Sequence, residues 1–272
     1  MGAGRVKMKR VWLSIGAALV SVVLAAHDTW LLPSSMAVAS GSTVTLDMTS
    51  GMAFPAPETA VMPDRLAAAR CRLAGKLLDI SEHTLGEKSL RLHVRAESPG
   101  VATIWAESRP RTLDLEAAEV REYLEEIGAT ETAGREWEGS PEPRKWRETY
   151  TKHAKTFLRV GSPEGDGSWA EPTGMPLEIV PERDPTAVVA GADFPVRLLQ
   201  DGRPLAGLSV GIRAAGQKTS RMQKTDGDGR ASFRMDRAGW YLLHATQIAR
   251  SSQPAGEWVS HFATLTVEAG PH

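Results

Sequence analysis

The chain has 272 residues, with 32 Lys and Arg against 33 Asp and Glu, a net charge of −1 and 42% hydrophobic residues. This ordinary globular composition carries no low-complexity tract and no internal repeat, and the mild acidity of the chain beyond its first 26 residues, 28 basic against 33 acidic, argues against nucleic acid or an anionic membrane surface as the partner. One cysteine, Cys71, excludes an intramolecular disulfide and any zinc-ribbon spacing; it reads as a buried apolar side chain rather than a reactive thiol.

Residues 1–26 read as a Sec-type signal peptide. Arg5, Lys7, Lys9 and Arg10 form a basic start, Val11 to Leu24 an apolar stretch, and Ala25-Ala26 the small residues before a cleavage site. The apolar stretch is shorter than the roughly 20 residues that span a bilayer, so contact with a membrane is expected only if the leader stays uncleaved. No cysteine follows it to carry a lipid. The expected product is a periplasmic or secreted chain of 28 basic and 33 acidic residues, net charge near −5, beginning at His27. Cleavage one residue earlier leaves Ala26-His27 as the start.

Beyond the leader, Trp30–Leu32, Ser42–Met48, Ala69–Leu73, Ser89–Val94 and Val101–Trp105 read as short strands of alternating apolar and polar residues. Pro99-Gly100 predicts a hairpin between the last two. A helical insert over about 114–158 follows. Asp114 is placed to cap a helix with an apolar stripe at Val120, Tyr123, Leu124 and Ile127, stopped by Gly128. Trp146, Tyr150, His153 and Phe157, spaced +4, +3 and +4, predict a second helix.

From Ser162 to Gly174 the chain is rich in Gly, Pro, Ser and acid and reads as a linker. Six β segments follow, at Leu177–Val180, Phe194–Leu199, Leu208–Ile212, Ala231–Met235, Trp240–Ile248 and Trp258–Glu268, with turn residues between them. That spacing is the signature of a small sandwich. Thr225-Asp226-Gly227-Asp228-Gly229-Arg230 lacks the third ligand and the closing Glu of a calcium loop and reads as a hairpin turn. The expected fold is mainly β: two sandwich-like domains, residues 27–174 and an Ig-like 175–272, with a short helical insert between them.

Six strings in this order resemble one known family: Ala26-His27-Asp28-Thr29-Trp30-Leu31-Leu32-Pro33, Tyr150-Thr151-Lys152-His153-Ala154-Lys155, Leu177-Glu178-Ile179-Val180-Pro181, Asp201-Gly202-Arg203-Pro204-Leu205-Ala206-Gly207, the Thr225–Arg230 turn, and Ala263-Thr264-Leu265-Thr266-Val267. The chain resembles the exported bacterial family of unknown function once labelled nickel-uptake-transporter-like. The resemblance implies an exported, two-part β protein whose second half is similar to the carboxypeptidase-regulatory sandwich. It also implies an association with nickel uptake.

Read without the family, four histidines are the candidate metal ligands. His27, once terminal, would offer its amine and a ring nitrogen as a chelating pair, a donor set suited to Ni, Co or Cu, with copper favoured by affinity order alone. The alternative at His27 is a polar, frayed chain start. His153 lies on the apolar stripe and is either a ligand or a hydrogen-bonded core histidine. His244 and His261 would face each other across a hairpin of the last two strands, where opposed residues hold their Cβ atoms about 5 Å apart; the alternative is that both face the core.

No Gly-x-Ser-x-Gly elbow, His-Glu-x-x-His helix or Gly-rich phosphate loop is present, so no enzyme is expected. Three readings stay open: a non-catalytic metal-binding or metal-delivery protein serving an inner-membrane transporter; an envelope module that recognises a protein or glycan without metal; and a copper-dependent oxidative enzyme built on His27.

Overall fold

The structure, a computed structural model, describes residues 27–252 and 256–272. The leader expected over residues 1–26 lies outside the described residues. In chain order the strands are β1 (Asp28–Pro33), β2 (Ala37–Val38), β3 (Ser42–Gly51), β4 (Thr59–Ala60), β5 (Leu66–Leu73), β6 (Lys76–Asp79), β7 (His83–Leu85), β8 (Leu90–Ala96), β9 (Gly100–Ser108) and β10 (Arg111–Leu115). Helix α1 (Ala117–Glu126), a π-helical turn (Thr130–Gly134) and helix α2 (Arg135–Glu138) follow. Then come β11 (Trp146–Val160), β12 (Leu177–Pro181), β13 (Asp193–Gln200), β14 (Arg203–Pro204), β15 (Ser209–Ala214), β16 (Arg221–Lys224), β17 (Arg230–Arg234), β18 (Gly239–Arg250) and β19 (Trp258–Ala269). The fold is mainly β, and no helix of the described residues is long and apolar enough to cross a membrane.

These strands form three sheets among the described residues. The largest runs β16-β15-β18-β19-β11-β9-β5-β6, with β2 and β10 also paired to β11. Another runs β1-β3-β8-β7 with β4 on β3, and the last runs β12-β13-β14 with β17 on β13. Alternation of side chains across each strand gives the large sheet two apolar faces. Ala102 and Ile104 of β9 and Ala154, Leu158 and Val160 of β11 pack beneath the β1-β3-β8-β7 sheet, against Leu31, Leu46, Met48 and Leu92. From the other face Val101, Phe157, Leu243 and Leu265 pack against Leu177, Ile179, Phe194 and Val196 of the β12-β13 layer. Two sandwich cores therefore lie on opposite faces of one sheet. Its joint is the parallel pairing of β11 with β19, from Glu148↔Trp258 to Thr156↔Thr266.

The second helix expected on the Trp146, Tyr150, His153 and Phe157 spacing is instead the 15-residue strand β11. Every residue from Lys152 to Leu158 is buried. With layers on both faces, the period of two that marks a half-buried strand is erased. Helix α1 does form, with Val120, Tyr123 and Leu124 as its buried stripe, but Glu116 and Glu119 make its capping box. Asp114 lies two residues earlier, in β10, paired with Arg147 at 3.1 Å. Beneath α1, Trp146 stacks on Trp258 with ring centroids 4.5 Å apart. The buried carboxylate of Glu148 accepts hydrogen bonds there from Tyr123 Oη (2.7 Å), Trp146 Nε1 (2.9 Å) and the Ser260 hydroxyl.

Two turns expected to close hairpins join different sheets instead. Pro99-Gly100 leads from β8 in the smaller sheet to β9 in the large one, and the Asp226–Arg230 turn leads from β16 to β17. In each case the chain crosses between layers, as sandwich topologies require. Asp226 Oδ1 accepts from the backbone N–H groups of Asp228 and Arg230 at 2.9 and 2.8 Å, and Gly229 takes φ +75°, so this carboxylate serves its own turn.

Lys155 and Glu178 tie the large sheet to the β12 layer through an ion pair of 2.6 Å between side chains each 1% exposed. The backbone N–H groups of Thr173 and Gly174 also donate to that carboxylate. Removing one partner strands the other charge in the core, so Lys155→Met should lower the unfolding free energy by about 3–5 kcal/mol in urea titrations. Lys155→Met combined with Glu178→Leu should recover most of that loss.

Candidate functional site

β11 presents polar side chains to both of its faces, and two of them meet partners on neighbouring strands. The antiparallel pairing of β11 with β9 ends at Phe157↔Thr103, and four residues further along each strand His153 lies beside Glu107. The parallel register with β19 places Thr151 opposite His261 and His153 opposite Ala263. His153 and His261 are therefore diagonal neighbours on one face, the pair positions at which long side chains still touch.

His153 is buried, and its Nε2 lies 3.1 Å from Nδ1 of the half-buried His261, the rings stacked with centroids 5.4 Å apart. On the far side, His153 Nδ1 lies 3.5 Å from Glu107 Oε2, an electrostatic contact longer than an ordinary hydrogen bond. We assign the proton to Nδ1 of His153, the nitrogen that faces the carboxylate, which leaves its Nε2 as an acceptor and makes His261 the donor from Nδ1. The His153 ring holds the Glu107 carboxyl below the ordinary carboxylate range, against the opposing effect of burial. Burial, reinforced by His153, lowers His261 to about 4. The result is a carboxylate–imidazole–imidazole chain, with His261 neutral at pH 7.

The other two candidate histidines lie elsewhere. His27 is buried rather than frayed: its carbonyl accepts from Lys152 Nζ at 2.5 Å, on the opposite face of β11 from His153, and its ring Nδ1 is buried without a hydrogen-bond partner. Burial, then the Lys152 charge, lower its pKa, while Glu58 and Asp28 act the other way. Burial likewise holds Lys152 down to about 8. Asp28 pairs with Arg213 at 2.8 Å.

His244 donates to or accepts from Ser220 Oγ at 2.7 Å, and burial lowers its pKa. Its ring fills the space beside Gly211 that a Cβ there would need. The expected facing of His244 and His261 does not occur. The β18–β19 hairpin exists, but its register puts Thr264 opposite His244 and Gln247 opposite His261. An offset of three residues sends the two rings to opposite faces.

Of the four candidates, then, His153 and His261 come together, while His27 and His244 stand apart from them and from any shared centre. Glu107 and Lys152 were not singled out from sequence. Only the pairing of β9 and β11 reveals Glu107, and nothing in the residue string marks Lys152 as buried. No group of three or more His, Cys, Asp or Glu side chains is arranged around one point among the described residues. Cys71 is buried, which pushes its thiol up to about 12.

A profile of the domain-of-unknown-function family DUF4198 matches residues 24–249. The chain belongs to that family. No curated protein sequence matches it. Among solved structures it is similar to the D0-D1 domain of intimin (12% identity, TM-score 0.21, covering 88% of this chain and 97% of that one). It is also similar to the fibronectin(III)-like modules of Clostridium thermocellum CbhA (9%, 0.22, 89% and 94%) and to a two-domain fibronectin type-III segment of chicken tenascin (11%, 0.25, 89% and 99%). TM-scores this low are no evidence of a shared site.

His261 gives a pH dependence with a definite sign. Its folded-state pKa of about 4 lies below its ordinary 6.5, so between those values the unfolded chain takes up a proton that the folded one refuses. Stability should be full above pH 6.5 and fall as pH drops toward 4. Thermal melts in the presence of a chelator should show Tm falling through this window, and His261→Asn should flatten the fall.

Proposed function

We propose that the protein is an exported, non-catalytic binder of a transition-metal ion, with His153 and His261 as its metal-holding side chains. The observation that carries this reading is the pair of ring nitrogens 3.1 Å apart, one ring backed by Glu107. Imidazole nitrogens bond such an ion at about 2.0–2.1 Å, so the two rings would turn slightly from their hydrogen-bonded contact to hold it jointly, and a carboxylate behind a ligating imidazole is the arrangement that orients such ligands and raises their basicity. His261 is neutral at pH 7, as a ligand must be.

The residues present fit a metal as two nitrogen donors. Its remaining positions would go to solvent or to a group brought by a partner. Imidazole donors suit nickel, cobalt and copper alike. A site with few protein ligands suits transfer, and the nickel-uptake association of the resembling family makes an inner-membrane metal transporter the partner. His27 enters as a separate ligand candidate, because its buried Nδ1 has no partner.

Purified exported protein should bind close to one equivalent of Ni(II), Co(II) or Cu(II) in calorimetry and in elemental analysis after desalting. His153→Ala and His261→Ala should each abolish that binding, and Glu107→Gln should weaken it by about 10- to 100-fold. Loss on His27→Ala alone would move the site to the chain start. No metal in any form would overturn the reading and leave a metal-free interaction module of the envelope, tested by capture of a partner from envelope extract.

A further inference from the structure

On the opposite face of β11 from His153 lies a cavity of about 190 Å³ whose lining has a single sign of charge. Arg65, Arg111 and Lys152 line it together with Tyr150, and among the described residues no carboxylate does. Thr29, Ser50 and Ser108 add hydroxyls, while Met48, Val61 and Met62 form an apolar wall. The elements that build it are distant in sequence: β1, β3 and the 59–65 segment from the smaller sheet, and the β9–β11 edge of the large one.

Each cation is held in place by a neutral acceptor. Lys152 is buried, its Nζ donating to the His27 carbonyl at 2.5 Å and lying 5.8 Å from the Tyr150 ring centroid. Arg65 donates to the Arg109 carbonyl at 3.0 Å. Arg111 hydrogen-bonds Tyr150. Carbonyls and a phenol fix these groups without cancelling their charge. The nearest acids act from outside the lining: Asp64 beside Arg65, and Asp28, which is already paired with Arg213. Burial and the Arg111 charge both work against the Arg65 guanidinium. Like charges gathered at a half-dry cavity are costly, and an anion between them relieves the cost.

We infer that this cavity is a binding site for a small organic carboxylate. The guanidinium groups match a carboxylate in shape as well as charge, and the methionine and valine wall gives a short aliphatic tail somewhere to lie. Inorganic phosphate would satisfy the cations and leave that wall unused. The volume, below that of drug-sized pockets, limits the ligand to a few carbons. This site does not depend on the metal reading, since it lies across the sheet from the histidine pair.

The test is calorimetric titration of the metal-free exported protein with acetate, butyrate and hexanoate, with butyramide and inorganic phosphate as comparison arms. Butyrate should bind saturably and butyramide at least tenfold more weakly. Arg111→Gln, at an exposed residue of β10, should weaken butyrate at least tenfold while the far-UV circular dichroism stays that of the parent. The assignment is overturned if none of the three acids binds, if butyramide or phosphate binds as tightly as butyrate, or if Arg111→Gln binds like the parent.

Discussion

The parallel pairing of β11 with β19 is the constraint from which the rest follows. The two strands are far apart in sequence: β11 ends at Val160 and β19 begins at Trp258, and the 97 residues between them carry β12 to β18. Parallel strands need such a long crossover. Once β11 lies between β9 and β19, the strands of both halves become one sheet, and each half can supply a layer to a different face. The same pairing decides which side chains meet. Even-numbered residues of β11 look toward α1 and the β1-β3-β8-β7 layer, while His153, Lys155 and Phe157 look toward β12 and β13.

A strand buried on both faces is expected to be a run of apolar residues. β11 is not. Glu148, Lys152, His153 and Lys155 are all buried in it, and each burial costs free energy unless partners compensate it. Three of the four have recognisably structural partners: three hydroxyl or indole donors for Glu148, the His27 carbonyl for Lys152, and Glu178 for Lys155. His153 differs. Its partners are a second imidazole and a partly exposed carboxylate, groups that can exchange a shared proton for something else. That difference separates a candidate site from the polar framework that holds it.

Much of the fold was legible in the residues. Leu90, Leu92 and Val94 alternate with Arg91, His93 and Arg95, and that alternation is β8 with one face in the core. The strand spacing after Leu177 and the stripe of α1 were equally open to reading. β11 was not, because its apolar residues happen to recur at helical spacing while burial on both faces removes the alternation. The site suffered from that same strand. With residues 146–158 read as a helix, His153 had no neighbour on β9 or β19, and Glu107 gave no signal. For His261 the hairpin was right and the register was wrong by three residues, enough to exchange its true neighbour His153 for His244. Register of that kind is fixed by packing on each face rather than by the turn residues in view.

The account stands or falls on the contact between His153 and His261 in the folded protein. In metal-free protein labelled with 15N-histidine, a scalar coupling across the N–H···N hydrogen bond from His261 Nδ1 to His153 Nε2 reports that contact directly. The account predicts the coupling at pH 7, together with an Nδ1-protonated tautomer for both rings. Two imidazoles without that coupling, or with His153 protonated on Nε2 instead, would contradict it.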